Sequence, residues 1–161
     1  MLAATQRLSV FATVHLPLVH PMFAAKQIVA ASEIGEGRFC LNVVCGWNQD
    51  EFEMFGVEQR AHDVCYAYGR QWLNVVRRIW KGGGPFDFDG DFIRLRNVEA
   101  LPLPRGGAPP VMNAGASETG ATFAIEECDA MFIPIRADVA SAAQNVSTSL
   151  QRARAHGKRT T

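Results

Sequence analysis

Short apolar runs alternate with helical segments along this sequence, and that alternation restricts the fold more than any other feature. The runs that resemble buried strands are Leu8 to Val14, Phe39 to Cys45, Pro110 to Ala114 and Asp129 to Pro134. The helices that follow them are predicted at Pro21 to Ile34, Gln59 to Lys81, Glu118 to Glu127 and about Ala137 to Ala155. Strands and helices in this order require a parallel sheet with right-handed crossovers, so the predicted fold class is α/β.

Local signals define several of these elements. Pro21 is suited to the first helical position, and Gly35 is suited to the end of the same helix. The apolar side chains predicted to share one face of this helix are Phe23, Ile28, Ala31 and Ile34. Phe86 to Leu95 predicts a β-hairpin insertion, because Asp89-Gly90 supplies a tight turn between alternating flanks.

The number of strands selects among the α/β folds. A doubly wound sheet has about five or six strands, and a closed (β/α)8 barrel has eight in roughly 250 residues. This chain has 161 residues and about four strand–helix units. If it is a barrel, we expect it to form a partial (β/α)8 barrel, about half of the domain.

Composition excludes several classes of function. Lys and Arg number 16 and Asp and Glu number 16, so no net charge steers the protein to nucleic acid or to an anionic membrane. No apolar run reaches the ~20 residues of a membrane-spanning helix. Four cysteines match no metal-binding spacing and are interpreted as reduced thiols, which predicts a cytoplasmic protein without a metal site.

The junction after the second strand contains the most unusual residues. Alternation places Asn42, Val44 and Gly46 on one face of this strand. A buried amide needs a partner, which is either a group of the neighbouring strand or a planar ligand. Gly46 is interpreted as leaving room for that ligand, and Trp47 as a side chain that lines the ligand cavity. Glu51 is either the nearest ligand-binding carboxylate or a solvated loop residue.

Two further junctions carry candidate residues. Gly115-Ala116-Ser117 leads into a helix with Ser117 as the N-cap, which is a place suited to a phosphate, although most such caps bind nothing. His15 and His20 flank the first junction, where an imidazole either lines the pocket or has a structural role in a turn.

The segments "GRFCLNVVCGWNQDEFEMFGVEQ", "FATVHLPLVHPMFAAKQ", "HDVCYAYGRQWL" and "VMNAGAS" resemble the bacterial luciferase-like flavin monooxygenases. The similarity is greatest to the dimethylsulfone monooxygenases, with pyrimidine and alkanesulfonate monooxygenases as relatives. The resemblance implies a (β/α)8 barrel that uses reduced FMN, supplied by a separate flavin reductase, and O2. The implied reaction is oxygenation of a small organic, sulfone- or sulfonate-like substrate.

The same resemblance implies roles for individual residues. It implies that Asn42 and Glu51 contact the flavin, that Tyr66 lies near its phosphate end, and that Ser117 binds the phosphate. It assigns no catalytic residue in this segment. Relatives have Arg where this chain has Cys65, so one cation that pairs with the phosphate is missing here.

Length is the larger departure from the family pattern. Residues 1–161 correspond to a central segment of the barrel, truncated at both ends, without the first two and last two strands. We expect either an enzyme segment that is active only when complemented, or a non-catalytic half-barrel that self-associates or only binds a flavin or phosphate ligand. A homo-oligomer or a complementing barrel half would cover the exposed strand edges.

Overall fold

The computed structural model describes residues 1–133 and 138–158. Its strands are β1 (Val10–His15), β2 (Phe39–Val44), β3 (Phe86–Asp89), β4 (Arg94–Val98), β5 (Val111–Asn113) and β6 (Ala130–Met131). Its α-helices are α1 (Pro21–Ile34), α2 (Gln49–Met54), α3 (His62–Lys81), α4 (Glu118–Glu127) and α5 (Val139–Ala155). The predicted strand end at Pro134 and the start of the last helix at Ala137 lie outside the described residues.

The main sheet has four parallel strands in the order β1-β2-β5-β6. Strands that follow one another along the chain, apart from the β3–β4 hairpin, are neighbours in this sheet. A doubly wound sheet reverses its strand order part-way, whereas a (β/α)8 barrel adds each new strand on the same side. The α/β prediction is confirmed, and the architecture is a partial (β/α)8 barrel of four strand–helix units with a small hairpin insertion.

The core lies between one face of the sheet and the helices. Leu41, Val43 and Val111 point toward the helices and are at most 2% exposed. They pack with Trp72 of α3 and Phe123 of α4, which are also fully buried. On the other face, Asn42 lies opposite Thr13 of β1 and Met112 of β5 in the strand register. Strand alternation therefore separates Asn42 from the apolar core.

Helix α1 has the predicted ends, and the prediction for its apolar face holds for Ile28 and Ala31, which pack in or against the core, but is wrong for Phe23 and Ile34. Ala24, Ala25, Ile28 and Val29 are the buried side chains, whereas Phe23 and Ile34 are 60% and 61% exposed. Small alanine side chains allow the helix to lie close to its neighbours, and Trp80 of α3 donates its indole N–H to the Ala25 carbonyl at 3.2 Å. Helix α3 buries its predicted apolar side, including Cys65, Trp72 and Val76.

Two connections differ from the sequence prediction. The segment after β2, where one interpretation placed Glu51 in a solvated loop, contains α2, which is anchored by Phe52 at 2% exposure. The hairpin turn is longer than two residues: Gly90 N donates to the Ile93 carbonyl at 2.9 Å. Strand β4 therefore begins at Arg94 and extends to Val98. Within the described ranges, none of the helices is both long and apolar enough to cross a membrane.

Candidate functional site

The candidate residues form two groups at the carboxyl edge of the parallel sheet. The first group, the Asn42 cluster, comprises Thr13, His15, Asn42 and Glu51 and lies at β1, β2 and α2. The second group, the Ser117 cluster, comprises His62, Asp63, Tyr66, Ser117 and Gly120 and lies at the N-termini of α3 and α4. Ligands of parallel α/β folds bind at this edge.

Asn42 uses one end of its amide and leaves the other buried without a partner. Its Nδ2 donates to Thr13 Oγ1 at 3.1 Å, which is the cross-strand contact that the simpler interpretation expected. Its Oδ1 is buried and accepts no hydrogen bond within the protein. A buried acceptor that stays unpaired costs about 1–3 kcal/mol, so this atom is suited to an N–H donor of a ligand.

Glu51 is held at the same edge by His15. Strand β1 ends at His15, whose Nδ1 lies 2.9 Å from Glu51 Oε2, and both side chains are about one-third exposed or less. Oε2 is buried and forms no hydrogen bond, although the His15 imidazole lies within ion-pair distance of it. Asn42 Oδ1 therefore has no partner, whereas Glu51 Oε2 has one close contact and keeps capacity to accept a hydrogen bond. His20 is different, because its Nδ1 accepts from Met22 N and caps α1.

Gly46 and Trp47 do not have the predicted roles. Gly46 has φ +108°, and a Cβ atom at this position would lie 2.6 Å from Cζ of Phe52. The glycine therefore permits the backbone turn into α2 and the packing of Phe52, instead of making room for a ligand. Trp47 is 77% exposed, so it does not wall a cavity in this chain.

Ser117 is the N-cap of α4, as predicted. Its Oγ accepts from Gly120 N at 3.0 Å and lies 3.1 Å from Nε2 of His62. The first turn of a helix leaves backbone N–H groups without intrahelical partners and carries the positive end of the helix dipole. An imidazole and a hydroxyl at such a position are suited to an anionic group.

Tyr66 joins the Ser117 cluster from one turn further along α3. Burial raises the pKa of its phenol, and the hydrogen bond with Ser117 lowers that pKa by less, so Tyr66 stays neutral at pH 7 and can donate. Two glycines make this packing possible. A Cβ on Gly120 would lie 2.5 Å from the Tyr66 hydroxyl, and one on Gly115 would lie 2.7 Å from Cα of Gly120.

His62 is the site residue that sequence analysis missed. It contacts Ser117 through Nε2, and its Nδ1 lies 3.1 Å from Asp63 Oδ1. Hydrogen bonds from His62 and Thr119 lower the pKa of the Asp63 carboxyl, which keeps it ionised beside the imidazole. The available signal was the spacing of His62 and Tyr66, since residues four apart share one face of a helix.

Cys65 points away from this group of side chains. The thiol is 2% exposed, and its Sγ contacts the Arg60 carbonyl at 3.4 Å. Burial raises the pKa of this thiol, so it remains protonated and supplies no charge. All four cysteines, Cys40, Cys45, Cys65 and Cys128, are unpaired and buried.

The structure brings Tyr66 and Ser117 together, and it links Asn42 and Glu51 to Thr13 and His15 of β1, which emerge on the sheet face away from the helices. A family model, luciferase-like monooxygenase, matches residues 1–161. The chain belongs to this family. A related sequence is an FMNH(2)-dependent dimethylsulfone monooxygenase of Pseudomonas fluorescens, which is 33% identical over 132 residues. The match covers 82% of this chain and 36% of that protein.

Another relative is the pyrimidine monooxygenase RutA of Allorhizobium ampelinum, which is 30% identical and is matched over 37% of its length. That match covers 85% of this chain. The chain thus spans a little over one-third of these curated relatives. Among solved structures, DmoA from Hyphomicrobium sulfonivorans superposes with a TM-score of 0.85 over 98% of this chain and 38% of that chain. At 22% identity, this likeness shows a shared fold.

Proposed function

We propose that this chain carries the flavin-binding part of a monooxygenase that uses reduced FMN and O2 to oxygenate a small organic substrate. One observation supports this most directly: Asn42 Oδ1 is a buried acceptor without any partner, and Glu51 Oε2 is buried with a close His15 contact but no hydrogen bond. The isoalloxazine ring of a flavin is planar and carries N–H donors, so it matches these two oxygens. The FMNH(2) dependence of the dimethylsulfone relative supports the same choice.

The Ser117 cluster fits the phosphate end of FMN. His62, Tyr66 and Ser117 place an imidazole and two hydroxyl groups at the N-terminus of α4, and the Tyr66 hydroxyl packs directly against Gly120 in the first turn of this helix. In this proposal the His62 imidazole, which lies beside Ser117, would donate to the phosphate. It partly replaces the arginine that relatives have at the position of Cys65.

Reduced FMN, when bound, supplies the electrons that activate O2. The residues of this chain bind and orient the ring through Asn42 and Glu51 and hold the phosphate through the Ser117 cluster. The chain spans only part of its relatives, so a sulfone or sulfonate-like substrate, a separate flavin reductase and a cytoplasmic location are further parts of this proposal. Unpaired cysteines support the reducing location.

We also propose that residues 1–161 are the central segment of a longer (β/α)8 domain, completed by strands of the same or another chain. The sheet face that carries Asn42 supports this, because Phe11 on that face is 44% exposed. Phe132, next to β6, is 51% exposed. Further barrel strands would cover such apolar side chains.

Anaerobic titration of the purified chain with reduced FMN and with reduced riboflavin tests the flavin proposal. Ser117→Ala removes a hydrogen bond to a charged group, worth about 1.5–3 kcal/mol, so FMN affinity falls roughly 10- to 150-fold. Riboflavin has no phosphate, so its affinity stays unchanged in this variant. Asn42→Ala weakens both ligands.

The matched control is Asp129→Ala. Asp129 Oδ2 accepts from Val111 N at 2.8 Å at the amino end of β5, so its loss removes a carboxylate acceptor of a backbone N–H at the opposite edge of the sheet from the Ser117 cluster. FMN binding is expected to be unchanged in this variant. If the unsubstituted chain binds neither flavin, or if Ser117→Ala weakens FMN and riboflavin equally, the proposed function is wrong.

A further inference from the structure

We propose that Thr13 and His15 of β1 are positioning residues that hold Asn42 and Glu51 in the arrangement that binds the ligand. The positioning role of these two residues rests on the proposed flavin function. Their contacts with Asn42 and Glu51 are present in the chain without a ligand. Thr13 and His15 are two residues apart on one strand, so their side chains emerge on the same face of the sheet.

Thr13 anchors the Asn42 amide from the neighbouring strand. The two residues are register partners in the parallel β1–β2 pair, and Thr13 Oγ1 lies 3.1 Å from Asn42 Nδ2. A threonine side chain is β-branched and has restricted χ1 freedom, so it offers a fixed hydroxyl. With Nδ2 anchored there, the amide plane is set and Oδ1 remains at its buried position, free for a ligand.

His15 has the same relation to Glu51. Helix α2 contains six residues, and Glu51 lies in its first turn, where a long carboxylate side chain has many rotamers and access to solvent. The contact of His15 Nδ1 with Glu51 Oε2 at 2.9 Å holds the carboxylate against the end of β1. Asn42 and Glu51 come from different elements, and β1 contacts both.

Positioning matters because both oxygens must meet donors of a single rigid ring system. A displacement of either acceptor by about 1 Å loses most of a hydrogen bond, since these bonds require distances of about 2.7–3.2 Å. The proposal therefore predicts that Thr13 and His15 influence ligand affinity without contacting the ligand. Their effects should disappear once the residue they hold is removed.

The first test needs no ligand. Exchange of the Asn42 side-chain amide protons with solvent is measured by ¹⁵N–¹H NMR on the unliganded chain, with the signals assigned by their loss in Asn42→Ala. Thr13→Val is expected to speed this exchange about two- to tenfold, whereas Thr13→Ser keeps the hydroxyl and leaves it unchanged. Exchange that is equal in all three chains would overturn the role of Thr13.

The second test is a pair of double-mutant cycles on binding of reduced FMN. Thr13→Val should weaken binding about two- to tenfold alone and have no effect in the Asn42→Ala background. His15→Ala should behave in the same way with Glu51→Ala. Effects that are additive in both cycles would overturn the proposal.

The two tests separate the possible failures. If the unsubstituted chain binds no flavin while Thr13→Val speeds amide exchange, the flavin function is wrong and the anchoring of Asn42 stands. If flavin binds and neither β1 variant changes its affinity, the flavin function stands and the positioning role is wrong. Thermal unfolding of each variant is recorded alongside, and a lower midpoint with equal affinity indicates a purely structural role.

Discussion

Replacing Gly120 by alanine should reveal how closely the Ser117 cluster is packed. Alanine in a helix is normally favoured over glycine by up to about 1 kcal/mol. Here the new Cβ would lie 2.5 Å from the Tyr66 hydroxyl and 2.9 Å from Cα of Gly115. One of these neighbours is backbone, so it cannot move away at little cost. Overpacking of this kind costs about 1–3 kcal/mol.

The difference between these two effects is the expected result: Gly120→Ala lowers the free energy of unfolding by about 0–2 kcal/mol instead of raising it. Urea unfolding followed by tryptophan fluorescence measures this. Tyr66→Phe provides the matched background, because it removes the hydroxyl that the new Cβ would meet. Gly120→Ala should then be less costly in the Tyr66→Phe chain. An increase in stability of about 1 kcal/mol in the unsubstituted background would refute the close packing of the loop, α3 and α4.

Two further perturbations test the core. Burial raises the pKa of the four cysteine thiols above the unfolded value near 8.5, to about 12 for Cys128. The stability that the protonated thiols contribute is therefore fully present below about pH 8.5. It is lost as the pH rises toward the folded pKa values. Urea unfolding between pH 8 and 10 should show this loss as a fall in the free energy of unfolding of up to about 1.4 kcal/mol per pH unit per thiol. Cys45→Ala should make the dependence of that free energy on pH less steep. An unchanged dependence would contradict the raised pKa of the buried Cys45 thiol. Trp72→Phe should lower the free energy of unfolding by about 1–3 kcal/mol, because the fully buried indole donates to the Val19 carbonyl at 2.8 Å. The control Trp47→Phe, at an exposed side chain, should change this free energy by less than about 0.5 kcal/mol. Equal effects of the two tryptophan variants would show that the Val19 contact contributes nothing.

Some elements could be predicted from sequence because their signals are local. Pro21 and Gly35 bound α1, and the Ser117 N-cap begins α4 at Glu118, in agreement with the structure. Caps and helix breakers act through neighbouring backbone groups, so they keep the same meaning in any tertiary context. Helix α2 was missed because its short polar sequence has no apolar repeat. One buried side chain, Phe52, anchors it instead.

The candidate site shows the same division. Asn42 and Ser117 were recognisable because an amide inside an apolar strand and a capping serine after a strand are unusual in themselves. His62 was not recognisable as a partner of Ser117, because 55 residues separate them and only the packing of α3 against α4 joins them. The face of α1 and the reason for Gly46 also depended on distant side chains, Trp80 in one case and Phe52 in the other.

The order of strands and helices, the parallel α/β class and the identity of the polar residues at the strand ends could all be predicted from the amino-acid sequence. These follow from hydrophobic periodicity and from backbone signals that act over a few residues. Tertiary structure alone decided which of those polar groups meet. The pairing of Thr13 with Asn42 and the contact of His15 with Glu51 require a specific strand register and helix position. The energy that selects them comes from burying the whole core, so no short segment encodes them.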